Sequence, residues 1–125
     1  MKIKIRIKIP PVIPISLSGP RAIKELDALL DTGSTYVIIS WEDALELGYE
    51  PTKAPEVPVA TGGGMITAPL IVLESMELLG LKRNKVKALV KDLTETGIDA
   101  IIGWSFLDNY SFRINAKRKS LEFDV

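Results

Sequence analysis

Neither cysteine nor histidine occurs anywhere in the 125 residues. Without cysteine there is no disulfide, no thiolate zinc site and no thiol nucleophile. Without histidine there is no imidazole base, no Ser-His-Asp triad and no histidine-ligated metal. Hydrolytic chemistry then falls to carboxylates, a lysine, a hydroxyl, or a metal held by oxygen ligands. An Asp-rich calcium loop and a Gly-Lys-Ser/Thr phosphate loop are both missing, so no metal and no cofactor is expected. An excess of one charge is missing too: 16 basic residues face 16 acidic ones. That balance leaves no electrostatic footprint for nucleic acid or a membrane surface. A long apolar run is also lacking, because the opening MKIKIRIKIP alternates isoleucine with cations. It therefore reads as neither a signal peptide nor a membrane span, and a cytoplasmic location is expected.

What is present is a chain that is 46% apolar, long enough to bury one core and read as a single domain over residues 1–125. Ile3, Ile5, Ile7 and Ile9 at every second position give the period of a half-buried strand. Pro10, Pro11 and Pro14 interrupt it, and the strand resuming at residue 12 is expected at a sheet edge, where proline is tolerated. Further strands are expected over 22–30 and 35–39. SWEDALELGYEP has Ser40 as N-cap, Asp43 three residues on, and Gly48 and Pro51 at its end, the signature of a helix. Residues 55–78 read as a long hairpin around a glycine-rich tip, 84–93 and the apolar run before Gly103 as strands, and 104–110 as a short helix. A closing hairpin turns at Asn115-Ala116-Lys117. The fold class is all-β with one or two short helices.

Asp31 stands between the apolar runs Ala28-Leu29-Leu30 and Tyr36-Val37-Ile38-Ile39. A buried ionised carboxylate is costly unless compensated. Asp, Thr, Gly and Ser are also ordinary turn formers, so the segment is either a surface turn or a carboxylate retained for chemistry. One carboxylate can take a proton from a water while a second, still protonated, donates to the oxyanion that forms. That chemistry requires no histidine, metal or covalent intermediate.

LLDTGS, a glycine-rich hairpin, and Ile101-Ile102-Gly103 before a helix resemble, in that order, the retroviral-type (retropepsin-like) aspartic proteases over residues 22–125. The resemblance implies a single-domain acid-protease barrel that works as a two-fold homodimer and cleaves extended peptides. It makes Asp31 the catalytic residue. Thr32 would lock the turn to its partner copy, and Gly33 would allow close backbone approach with its N–H toward the carboxylate. Ser34 would bond the outer carboxylate oxygen. Thr61, Gly62, Gly63, Gly64 and Met65 would form the tip of a flap, spanning about 55–77, that closes over substrate. Val37, Met65, Ile66, Ile101, Ile102 and Gly103 would line apolar subsites, giving cleavage between hydrophobic residues.

The chain offers one such turn, and Glu95-Thr96-Gly97 is its nearest echo, without an apolar lead-in. The second carboxylate is therefore expected from another copy. Relatives in the viral branch carry an acid after the turn and a basic residue after the later glycine, which pair. Thr35, Tyr36 and Trp104 stand there instead, so the ion pair is not expected and packing by Trp104 is the expected substitute. The N-terminal strand and SLEFDV are read as strands that interleave across the dimer. A peptide-binding or dimerisation module without catalysis, and an unrelated β-domain with an incidental turn, remain open alternatives.

Overall fold

The computed structural model describes residues 1–125. Its strands are β1 (Lys2–Arg6), β2 (Val12–Ser18), β3 (Ile23–Leu30), β4 (Val37–Ile39), β5 (Glu56–Thr61), β6 (Gly64–Leu78), β7 (Leu81–Val90), β8 (Ala100–Ile102), β9 (Ser111–Asn115) and β10 (Ser120–Asp124). Helix α1 (Trp41–Leu47) and the single turn α2 (Trp104–Leu107) follow β4 and β8. No helix is long and apolar enough to cross a membrane.

Six strands in the order β2-β3-β8-β4-β7-β6 form a ring that β2–β6 pairing closes into a barrel, with β5 added outside β6. The 15 residues of β6 serve three neighbours in succession. Its first part pairs with β5 from Gly64 to Pro69, its remainder with β7 from Leu70, and its end also with β2 from Ser75 to Leu78. Alternation decides which side chains enter: Ile13, Ile15 and Leu17 of β2 are buried, while Val12 before them and Pro14 between them are exposed. The edge position expected for β2 is corrected, since it pairs with β3 throughout and with β6 from Ile15 onward. Pro14 fits because it lies just beyond the β6 pairing, where no ladder needs its missing N–H.

The second sheet, β1-β10-β9, is built from the two ends of the same chain. Ile3 faces Phe123 and Ile5 faces Leu121 across β1 and β10. The expectation of strands interleaved with a partner is thus corrected for β10, which has β1 on one side and β9 on the other. Phe123 and Leu121 join Phe106, Leu107 and Ile102 in one continuous core that the barrel shares with this sheet.

Helix α1 covers one end of the barrel. Ser40 Oγ accepts from the Asp43 N–H at 3.1 Å, and Gly48 ends the helix at φ 102°, a conformation glycine adopts without penalty. The buried Asp43 carboxylate accepts from Lys24 Nζ of β3 at 2.6 Å, and Glu46 accepts from the same ammonium. These bonds, Asp43's first, hold Lys24 above the ordinary lysine range and tie the helix to the sheet.

Candidate active site

Strand β3 runs parallel to β8, with Leu30 beside Ile102. The chain leaves β3 at Asp31, whose N–H still donates to the Ile102 carbonyl at 3.0 Å. It then turns, with the Ser34 N–H on the Asp31 carbonyl at 3.1 Å, and enters β4 at Val37. The Gly33 N–H donates to Asp31 Oδ1 at 2.8 Å. A Cβ on Gly33 would lie 3.1 Å from that oxygen, so any side chain there would press on the carboxylate and shift it by a few tenths of an ångström. Asp31 is half-buried, and Thr32 and Gly33 are exposed. The carboxylate that follows an apolar strand is therefore carried to the rim of the barrel and kept accessible.

The turn is fastened from behind by the start of α2. The Trp104 and Ser105 N–H groups donate to the Ser34 and Thr35 carbonyls, each at 2.9 Å. Ser105 Oγ accepts from the Val37 N–H at 2.8 Å and donates to the Lys87 carbonyl at 2.6 Å. The indole Nε1 of Trp104 donates to the Thr32 carbonyl at 2.7 Å. This approach depends on Gly103, where a Cβ would sit 2.2 Å from the Tyr36 carbonyl oxygen and 2.6 Å from that of Ser34. Both obstacles are backbone and have no room to swing aside. Gly103→Ala is expected to destabilise the fold by about 3 kcal/mol, read as a lower midpoint in urea unfolding. An unchanged midpoint would show that the contact is slack.

The other expected site residues divide into groups. Val37 and Ile102 are fully buried in the main core and pack beneath the turn. Gly103 is buried as well, and its close backbone contacts give it the same office. Ile101 points the other way, half-buried against a smaller cluster of Ile38, Ala68, Leu89 and Leu93. Ile38, paired with Ile101 across β4 and β8, was missed. Strict alternation along Val37-Ile38-Ile39 would have put it on the opposite face from its neighbours.

Thr61, Gly62, Gly63 and Gly64 form the tip of the β5–β6 hairpin. Thr61 Oγ1 donates to the Gly64 carbonyl at 2.7 Å and accepts from the Gly63 N–H at 3.3 Å. Gly64 takes φ 117°, which favours glycine. Met65 and Ile66 are 66% and 41% exposed, while Val57 and Val59 below them pack on the smaller cluster. The hairpin is thus anchored at its base and free at its tip. Only its part up to Pro69 stands outside the barrel wall.

One expected contact differs. The Ser34 hydroxyl donates to the Tyr36 carbonyl at 2.7 Å, so it braces the loop and does not reach Asp31. Thr96 Oγ1 of the Glu95 turn donates to the Leu93 carbonyl at 2.7 Å and accepts from the Ile98 N–H at 3.0 Å, which closes that turn on itself. Its loop joins the far end of β4, where the Lys91 N–H meets the Ile39 carbonyl, so Glu95 is no mate for Asp31. No cluster of acidic side chains able to hold a metal ion is present.

A family model described as aspartyl protease matches residues 13–106. No curated protein matches the sequence. Among solved structures, a retropepsin-like aspartic protease from Rickettsia conorii superposes with a TM-score of 0.71 at 23% identity, covering 98% of this chain and 90% of that one. At that identity the likeness is one of fold.

Proposed function

Since the chain belongs to the aspartyl protease family and has the retropepsin-like barrel, we propose that it is an endopeptidase whose active form is a two-fold homodimer. Asp31 of each copy supplies one carboxylate. The observation that carries this reading is the Asp31 turn, where a carboxylate at an open rim takes the Gly33 N–H on one oxygen. Two such turns related by a two-fold axis bring together two acids that share one proton. The ionised member takes a proton from a water between them, and that water attacks the scissile carbonyl. The protonated member donates to the developing oxyanion; on collapse it takes that proton back, and the member that received the water's proton passes it to the leaving amine. Because only the singly protonated pair is competent, activity falls on both sides of an optimum pH.

The Thr61–Met65 tip, exposed from Gly62 onward, acts as a flap, closing over a peptide held as an extended strand. Ile66 of the hairpin and Ile101 of the rim give the subsites an apolar character, so cleavage is proposed between hydrophobic residues. Thr32, which is exposed, then meets the partner's turn in the dimer.

The test is a mixed peptide library at several pH values, wild type against Asp31→Asn. Cuts flanked by apolar residues, absent with the variant, are expected. Cuts chiefly beside Lys or Asp would overturn the subsite assignment. No cuts, with a melting temperature still raised by pepstatin, would leave a binding module in place of the enzyme.

A further inference from the structure

Trp104 makes a contact that packing alone does not require. Its indole N–H meets the Thr32 carbonyl at 2.7 Å, and that carbonyl belongs to the same peptide unit as the Gly33 N–H. The unit is a rigid plane, with C=O and N–H directed oppositely. On one side it accepts from the indole; on the other it donates to Asp31 Oδ1 at 2.8 Å. A hydrogen bond on the carbonyl fixes the tilt of the plane and polarises its N–H, making it a stronger donor. Trp104 also grips the loop a second time, through its own N–H on the Ser34 carbonyl at 2.9 Å. The ring is steadied by Phe112 of the terminal sheet, its centroid 6.1 Å away. Few other groups near the turn could serve: the Ser34 hydroxyl is spent on Tyr36 and the Ser105 hydroxyl on Lys87 and Val37.

We propose that Trp104 is a positioning residue for catalysis, acting through the Thr32–Gly33 peptide to orient the Asp31 carboxylate. This rests on the protease reading above. The indole touches neither substrate nor the reacting water, so its loss shows in turnover and leaves substrate affinity alone.

The experiment replaces Trp104 in the full chain by 3-benzothienylalanine, in which sulfur takes the place of the indole N–H and the ring shape is kept. Trp104→Phe is the genetically encoded companion. Expected for both is a fall in kcat of about three- to tenfold, with KM unchanged and the dimer intact by sedimentation. The Gly33 amide proton resonance is expected to move upfield as its bond to Asp31 loosens, a readout independent of turnover. A wild-type kcat with an unmoved Gly33 resonance would overturn the proposal. So would a loss traced to fewer dimers, or a raised KM at constant kcat, since either puts the indole at an interface or against substrate. Wild type and Asp31→Asn run alongside: if these two are equally active or equally inert, the protease reading fails first, and this inference fails with it.

Discussion

Replacing Asp31 by asparagine is expected to lower kcat by about a thousandfold or more, the scale set by losing a general acid–base group. The fold should stay intact, because asparagine keeps an oxygen where the Gly33 N–H now donates at 2.8 Å and the site is only half-buried. Thermal unfolding is the control. Its midpoint should be unchanged or slightly raised, since the substitution removes two carboxyls that oppose each other's ionisation beside the symmetry axis. The loss should fall on kcat more than on KM, as peptide binding uses the hairpin and rim. Substantial hydrolysis by rigorously purified variant would show that another group does the chemistry. Wild-type turnover with a collapsed midpoint in the variant would make Asp31 a structural residue.

Mixing the two forms tests the second carboxylate. Co-refolded with a ninefold excess of Asp31→Asn, wild-type subunits should pair with one another only about one time in ten, so activity per wild-type subunit should fall about tenfold. A hybrid dimer holds one carboxylate facing one amide, which cannot share a proton in the required way. Activity strictly proportional to the wild-type subunits present would mean that one chain suffices. The expectation draws on the isolation of the Asp31 turn in its own chain, where the Glu95 turn lies beyond the opposite end of β4.

Local chemistry made much of this legible in the sequence. The alternation in Val12–Ser18, the capping of α1 by Ser40 and Gly48, and the Asp31 turn each depend on near neighbours. Edges are another matter. Whether β2 is marginal or interior depends on β6, some 60 residues on, reaching back to close the ring. Proline content misled there because it marks only the first residues of β2. The same limit applies to Val37 and Ile102: apolar residues beside an active-site motif read alike whether they face substrate or core, and only the folded chain shows both packed in the core. Trp104 was noticed as an oddity after Gly103, but its hydrogen bond to Thr32 joins residues 72 apart, and no pattern in the chain states it. Gly103 was visible as a glycine; its reason, two backbone carbonyls within 2.6 Å of a missing methyl, exists only in three dimensions.

Closing the barrel through β2 and β6 leaves three open strand margins, on β5, β1 and β9. An open margin invites other chains to add to it and grow fibrils. On β5 the invitation is blunted by Pro58, which has no donor to give. Lys2, Lys4 and Arg6 crowd the exposed face of β1 with cations, so that two such ribbons repel before they can zip. Strand β9 is only five residues long and carries Arg113. The lysine-studded strand β1 thus acts as a guard against amyloid-like stacking.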